Sequence, residues 1–362
     1  MIARVHAQAW QQLRWFAPSI PLEPVVQAVC TSRATSAAAA AAAFGAQRSS
    51  SDPRAIIEAD DVDVVHICSP NQAHAPALLA TLAAQKPCYC DKPLTATLAE
   101  AETVAAALPA YRATAQMTLN NRFWPAIQQA RRLLAEGLLG QLLEVRASYL
   151  HGGSADPAAP LKWKLSAAAG GGVVADLAVH IVDLVEYLVG DLRRLTARGH
   201  IAYPERPDPA DPSRRLPVDA EDSVHILAEG ADAANVSIQA SKLCNGAQDE
   251  LDLALHGSDG AIRFSSLQPQ FLQVYRPAAG GWLAEAVGRQ QPAPMTAFPG
   301  PKFALGWLET HVACLAHFAQ ALAEGRPAEP DLGRGVELQR RIETIRRAAA
   351  TGSWMTCEEP LA

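Results

Sequence analysis

A strand–turn–helix–strand segment at residues 62–94 limits the folds open to this chain of 362 residues more than any other stretch. The apolar run Val62–Ile67 breaks at Ser69-Pro70-Asn71, as a buried parallel strand does at its carboxyl end. A helical stretch, His74–Ala84, and a second short strand lead into Asp91-Lys92-Pro93. This βαβ pattern predicts an α/β fold with a parallel sheet, in which ligands bind beyond the carboxyl ends of the strands.

A second constraint is the run of three glycines at Gly170–Gly172, which leads directly into a helical pattern. Consecutive glycines let the backbone approach a ligand closely or adopt positive φ. On the predicted helix, Asp176 and His180 are four residues apart and so lie on one face. Two interpretations stay open at this point: a functional carboxylate and imidazole, or a helix cap and a core histidine.

Four motifs occur in the order and spacing of a known family. They are S-P-N-x-x-H at Ser69–His74, D-K-P-L at Asp91–Leu94, N-x-R-F at Asn120–Phe123 and G-G-G-x-x-x-D-x-x-x-H at Gly170–His180. On these motifs the chain resembles the Gfo/Idh/MocA oxidoreductases, the group of glucose-fructose oxidoreductase and inositol dehydrogenase. The resemblance implies an α/β, Rossmann-type NAD(P)-binding domain at residues 1–119. It also implies a substrate-binding α+β domain with a large, mostly antiparallel sheet at residues 120–362.

The resemblance further implies a hydride transfer between a nicotinamide and a secondary alcohol or ketone. Lys92, Asp176 and His180 match the catalytic residues of the family. Lys92 would polarise the oxygen, His180 would take the hydroxyl proton, and Asp176 would orient the imidazole or bind a hydroxyl. The expectation is that the Lys92 amine meets the other two side chains around one pocket.

Binding residues are expected from the same motifs and from the strand ends. Those expected to contact the nucleotide are Ser32, Arg33, Ser69, Pro70, Asn71, His74, Asp91 and Lys92. Those expected to contact the substrate are Asn121, Arg122, Trp163, Asp176 and His180. The expected substrate is a sugar, cyclitol or glycoside. A non-sugar substrate, as in dihydrodiol dehydrogenase or biliverdin-reductase relatives, and a non-catalytic ligand sensor on the same scaffold are the alternatives.

The amino terminus departs from the family pattern. A dinucleotide-binding unit opens with an apolar strand and a glycine-rich turn, but no glycine precedes Gly45 here. Ile2–Trp15 resembles the helix that follows such a turn, so the first strand and the turn are missing from the predicted sheet. A start upstream of Met1 is expected, and the alternative is a chain that lacks a central strand and half of its phosphate-binding site.

The end of the next predicted strand bears on the choice of cofactor. Thr31-Ser32-Arg33 offers no acidic residue for the ribose hydroxyls, which favours NADP within the NAD(P) expectation. The alternative is that Ser32 only caps the next helix and that Arg33 is solvated.

Composition excludes several classes of partner. The net charge is −6 and no basic cluster occurs outside helix ends such as Arg131-Arg132, so no nucleic acid is expected. No apolar run reaches the about 18 residues of a membrane span, so no membrane is expected. The seven cysteines lack disulfide or metal-ligand spacing, which predicts reduced thiols in the cytoplasm and no metal.

Three further expectations concern the second domain. The uncovered face of its sheet predicts a homodimer or homotetramer. The proline-rich loop at residues 203–217 is expected to be a lid or an oligomer contact. The glycine- and proline-rich residues 277–301 are expected to be partly mobile.

Overall fold

The computed structural model describes residues 2–304 and 306–357. The chain divides into two compact units. The first comprises Met1–Phe123, Gln291–Gly300 and Gly306–Glu337, and the second comprises Trp124–Gln290, Pro301–Leu305 and Leu338–Ala362. In the described part of the chain, no helix combines the length and the apolar character needed to cross a membrane.

The elements follow one another along the chain in a simple order. The helices are α1 Ile2–Phe16, α2 Ala34–Phe44, α3 Arg54–Ile57, α4 His74–Ala83, α5 Leu98–Ala107, α6 Pro125–Ala135, α7 Val179–Val189, α8 Trp307–Glu324 and α9 Leu332–Thr351. The first eight strands are β1 Ala28–Cys30, β2 Arg48–Ser50, β3 Val65–Ile67, β4 Cys88–Asp91, β5 Ala115–Thr118, β6 Leu142–Leu150, β7 Arg194–His200 and β8 Glu205–Pro207. The others are β9 Arg215–Pro217, β10 Ser223–Glu229, β11 Asn235–Ser241, β12 Glu250–Gly257, β13 Ala261–Ser265, β14 Phe271–Arg276, β15 Gly281–Ala286 and β16 Met355–Thr356.

The first unit carries its short strands in two separate parallel sheets. β1 pairs with β2, and β3, β4 and β5 pair in that order. Each of β1 to β4 is followed by a helix, which is the Rossmann-type arrangement and confirms the predicted fold class. Among the described residues no strand joins β1 to β3.

Helix α8 completes the core of the first unit. The side chain of Gln116 on β5 donates to the Cys314 carbonyl at 2.8 Å, and the hydroxyl of Thr114 donates to the Arg326 carbonyl at 3.0 Å. Leu13 of α1 and Phe318 of α8 are buried in the same apolar cluster. A segment far along the chain therefore packs against the parallel strands of this unit.

The second unit is built on one large sheet of nine strands in the order β15-β14-β13-β12-β6-β11-β10-β7-β16. Only the β6–β11 pair is parallel, so the expectation of a mostly antiparallel sheet is confirmed. Along β6, Val145, Ala147 and Tyr149 are buried while Arg146 between them is exposed. This alternation gives the sheet one face covered by the unit's helices and one open face.

Two parts of the second unit differ from the sequence expectations. Strand β15 lies within residues 277–301, which were expected to be partly mobile, and it extends the sheet by pairing antiparallel with β14. The expected loop at residues 203–217 contains the hairpin of β8 and β9. Proline is tolerated there because these strands pair only with each other and so need few backbone donors.

Residues in and beside the β8–β9 hairpin form hydrogen bonds with the loop that follows β6. Arg206 is 1% exposed, and its guanidinium donates to the carbonyls of Ser154 at 2.6 Å and Asp156 at 2.7 Å. The Tyr203 hydroxyl donates to the Ala155 carbonyl at 2.9 Å. Backbone acceptors of one loop thus bind both terminal nitrogens of a buried guanidinium, and this fixes the loop in its own unit.

Candidate functional site

The predicted nucleotide-binding turns lie at the carboxyl ends of β3 and β4. His74, the first residue of α4, is fully buried, and its ring nitrogens lie 2.9 Å from the Ser69 carbonyl and 2.9 Å from the Pro93 carbonyl. One imidazole therefore ties the Ser69–Asn71 turn to the turn that carries Lys92. The first unit brings these predicted residues together.

Lys92 directly follows β4 and is half-buried. Its backbone N–H donates to the Asp91 carboxylate at 2.9 Å, so the neighbouring acid fixes the turn. Burial, and then the positive charge of Lys92, lower the pKa of His311 on α8 to about 3. The Lys92 ammonium is therefore close enough to the buried His311 imidazole of its own unit to affect it, and that imidazole is neutral at physiological pH.

Ser32 and Arg33 form the exposed turn between β1 and α2. Arg33 occupies the N-cap position of α2, and no side chain caps the helix. The interpretation of Ser32 as the cap is therefore wrong, since the local hydroxyl contact joins Thr31 to Ser36 at 2.6 Å instead. Across the described chain, neither the Ser32 nor the Arg33 side chain makes a hydrogen bond within the protein, which leaves both exposed to solvent.

The turn Asn120–Phe123 follows β5 and contains two predicted substrate residues. Asn121 is buried and Arg122 is half-buried. The amide of Asn120 donates to the Thr310 hydroxyl at 2.8 Å, which fixes this turn on α8.

Sequence reasoning missed a buried imidazole cluster in the first unit. The Nδ1 atom of His6 lies 3.1 Å from the Cys68 Sγ atom and 3.4 Å from His66 Nδ1. Trp10 donates to His66 Nε2 at 2.9 Å. Burial lowers the pKa of His66 to about 4, and burial followed by the charge of His66 lowers that of His6. These rings are neutral at physiological pH and belong to the core.

In the second unit, the glycine run allows close passage of the backbone. A Cβ atom on Gly171 would lie 2.6 Å from the carbonyl carbon of Lys164, and Gly172 has φ +97. The first N–H groups of the following helix are satisfied by Glu221, whose backbone carbonyl and carboxylate accept from Val173 at 2.7 Å and Val174 at 3.0 Å. The cap interpretation of Asp176 is therefore wrong, because Glu221 fills that role.

Asp176 instead lies between two lysines. It belongs to a π-helical turn, Val174–Ala178, that precedes α7, and such turns are frequent at functional sites. Its Oδ1 atom is 2.8 Å from Lys164 Nζ, and its Oδ2 atom is 3.0 Å from Lys242 Nζ. Each carboxylate oxygen thus faces one ammonium group.

His180 lies one helical turn after Asp176, and it is 8% exposed. Its ring centroid lies 5.9 Å from that of Tyr149, whose hydroxyl donates to the Asp249 carboxylate at 3.0 Å. Burial and then the negative charge of Asp249 raise the pKa of Tyr149, so the phenol stays protonated. The imidazole is therefore held in a largely buried position against an aromatic ring.

The second unit brings three of the predicted residues to one place. Trp163 is adjacent to Lys164, whose ammonium lies 5.9 Å from the indole ring, and Lys164 binds Asp176 one turn before His180. The sequence analysis did not identify Lys164 or Lys242 as a site residue. The available signal for Lys242 was a lone cation directly after the alternating apolar strand β11.

Within the described residues, no group of three or more His, Cys, Asp or Glu side chains could hold a metal ion.

Comparisons of sequence agree with this architecture. A family model described as "Oxidoreductase family, NAD-binding Rossmann fold" matches residues 1–119, and one described as "GFO/IDH/MocA C-terminal domain" matches residues 127–263. The chain is 30% identical over 357 residues to levoglucosan dehydrogenase of Pseudarthrobacter phenanthrenivorans, covering 94% of this chain and 91% of that protein. It is 26% identical over 251 residues to inositol 2-dehydrogenase of Rhizobium meliloti, covering 68% of this chain and 70% of that one.

Solved structures give the same result. A levoglucosan dehydrogenase in complex with NADH and levoglucosan is similar with a TM-score of 0.94 and 30% identity, covering 99% of this chain and 97% of that one. A complex of the same enzyme with NADH and L-sorbose also has a TM-score of 0.94, with 99% and 96% covered. The similarity therefore extends across both units, and the chain belongs to the Gfo/Idh/MocA family of oxidoreductases.

Proposed function

We propose that this oxidoreductase transfers a hydride between a nicotinamide and a secondary alcohol or ketone of a sugar, cyclitol or glycoside. The observation that carries the proposal is the Asp176 carboxylate, held by two lysines one helical turn before the buried His180. Such a set can bind a hydroxyl and accept its proton. The proteins to which the chain is similar are named levoglucosan and inositol dehydrogenases, which supports this substrate class.

In this proposal each reacting group has one role. His180 is the base that takes the hydroxyl proton, and Lys92 donates a hydrogen bond to the oxygen as negative charge develops on it. Asp176 accepts a hydrogen bond from a substrate hydroxyl or from the imidazole. The substrate-binding residues would be Asn121, Arg122 and Trp163, together with Asp176 and His180. Residues 1–119 would bind the nucleotide and residues 120–362 the substrate.

The strand ends of the first unit fit an NAD(P) cofactor. The proposed nucleotide contacts are Ser32, Arg33, Ser69, Pro70, Asn71, Asp91 and Lys92. Ser69, Asp91 and their neighbours lie at the carboxyl ends of β3 and β4, where α/β sheets bind their ligands. His74 would contribute to this site by holding the two turns together. The nicotinamide, when bound, supplies the hydride acceptor or donor.

We further propose that NADP is preferred over NAD. Ser32 and Arg33 are exposed at the end of β1, and no acidic residue accompanies them. The Arg33→Asp variant is expected to raise KM for NADP about 10- to 100-fold, because it removes a charge-assisted hydrogen bond to the 2′-phosphate. Initial rates with each nucleotide check this, with Arg54→Asp, an exposed arginine of the same unit, as the control. Equal NADP affinity in the Arg33 variant would refute the preference.

One experiment tests the function. The purified protein is supplied with NAD or NADP and a panel of sugars, inositols and anhydrosugars, including levoglucosan, and the absorbance of reduced nicotinamide is followed. Turnover of at least one polyol is the expected result. Turnover only of apolar dihydrodiols would assign the non-sugar alternative. Ligand binding by calorimetry without any turnover would contradict the enzyme and favour the ligand sensor.

We also propose that the open face of the nine-stranded sheet binds a second copy of the chain. Leu227 on this face is 57% exposed beside a depression of about 510 Å³ that is lined by Arg146, Asp252 and Arg263 among others. Both charge signs occur on one face, which suits a self-complementary contact. Light scattering should give two or four times 38.4 kDa, with a lower mass for Leu227→Glu. A mass of 38.4 kDa for the unchanged protein would exclude this contact.

We propose a cytoplasmic location, which the proposed chemistry and the free thiols support. All seven cysteines are free, as expected for a reducing compartment. Fractionation of expressing cells checks this, since recovery with extracellular proteins would contradict it.

A further inference from the structure

Lys242 is a buried lysine whose position is fixed from several sides. Its side chain is 4% exposed, and it directly follows β11. Its backbone N–H donates to the Asp222 carbonyl at 2.9 Å, and its carbonyl accepts from the Ser154 N–H at 2.8 Å. These contacts fix the backbone from which the side chain extends, and its burial restricts the positions that the ammonium group can take.

The ammonium of Lys242 is directed at one carboxylate. It lies 3.0 Å from Asp176 Oδ2, and Asp176 itself is 16% exposed. A buried ammonium is unfavourable unless an opposite charge accompanies it, and a close ammonium favours the charged form of a carboxylate. The pair therefore keeps the Asp176 carboxylate ionised and fixes the direction of its second oxygen.

Lys164 differs from Lys242 although it binds the same carboxylate. Its side chain is 48% exposed, and it contacts Oδ1 at 2.8 Å. An exposed ion pair contributes little to stability and can exchange its partner for a ligand or water. The two oxygens of Asp176 thus have different surroundings: a buried ammonium at Oδ2 and a solvent-exposed, exchangeable one at Oδ1.

We propose that Lys242 is a positioning residue of the dehydrogenase reaction, which fixes the charged Asp176 so that its Oδ1 side meets a substrate hydroxyl one helical turn before His180. This inference rests on the proposed function. It makes Asp176 a fixed hydrogen-bond acceptor throughout the reaction and leaves proton transfer to the imidazole. Lys164 is then the partner that a substrate hydroxyl displaces.

The kinetic test compares Lys242→Met with the wild-type protein on the substrate identified by the polyol panel. A misdirected carboxylate is expected to lower kcat about 100-fold with little change in KM. Lys242→Arg, which retains the charge, is expected to recover part of kcat. Arg341→Met is the matched control, because Arg341 forms a similar buried ion pair with Glu186 at 2.7 Å in the same unit. A loss in Lys242→Met no larger than in this control would overturn the positioning role.

A second measurement does not depend on activity. His151 lies in the same unit, and burial and then the charge of Lys242 lower its pKa; Lys164 also lowers it, while Asp176 and Asp249 raise it. Titration of the labelled histidines by NMR, with the His151 signal assigned from a His151→Gln variant, is expected to show a higher pKa for His151 in Lys242→Met. An unchanged pKa would show that the ammonium does not lie at this site in solution. A wild-type protein without turnover would refute the proposed function, and this titration would still decide the electrostatic part of the inference.

Discussion

Replacement of Lys92 by methionine is expected to lower kcat about 10³-fold on any polyol that the protein oxidises. Methionine keeps the length and apolar stem of lysine but removes the ammonium that would stabilise negative charge on the reacting oxygen. Loss of a single donor of this kind has an effect of about 10²- to 10³-fold in other enzymes. Single-turnover rates under saturating cofactor measure the effect without interference from product release.

The fold should survive this substitution, so that the kinetic loss can be interpreted. The turn after β4 is held by the His74 contact to the Pro93 carbonyl and by the Asp91 contact to the Lys92 backbone, and neither uses the ammonium. Lys86→Met is the control, since Lys86 precedes β4 and its ammonium contacts the Ala59 carbonyl. A Lys92→Met protein that turns over sugar at the parent rate would eliminate the proposed role.

Replacement of His180 by glutamine is expected to lower kcat/KM by about 10²- to 10⁴-fold, the range associated with loss of a general base. Glutamine retains hydrogen-bonding capacity, but it cannot accept a proton near neutral pH. If the imidazole is the base, the parent rate of alcohol oxidation falls as the pH drops and the ring becomes protonated. That acid limb should be absent from the pH–rate profile of the variant.

The control for this variant is a second histidine of the same unit. His225 is exposed on the open face of the sheet, and His225→Gln should leave both the rate and the pH profile unchanged. An acid limb that persists in His180→Gln would assign the proton transfer to another group.

The sequence alone predicted the parts of the fold that depend on local patterns. The β3–α4–β4 unit follows from a β-branched run, a Ser-Pro-Asn turn and a helical stretch, all within 62–94. The alternating residues of β10 and β11 predict those strands because one face of the sheet is buried and the other is open. Each of these signals lies within a few neighbouring residues.

The parts that the sequence did not reveal depend on contacts between distant residues. The Lys242–Asp176 ion pair joins the end of a strand to a helical turn that is distant in the sequence. No pattern of neighbouring residues predicts this contact. Glu221, which satisfies the helix start after the glycines, is equally remote from Val174. The sequence analysis did not predict the hairpin of β8 and β9, because its prolines suggested an irregular loop. Two strands that pair only with each other can contain proline.

The imidazole that joins the two strand ends restricts which residues position 74 can hold. Its two nitrogens contact two different carbonyls, at 2.9 Å each. Asparagine is too short to bridge both acceptors and phenylalanine offers no polar atom, so either exchange would uncouple the nucleotide turn from the lysine turn. Mutational libraries that aim to change coenzyme or substrate preference should therefore leave this residue fixed, although it is completely hidden from solvent.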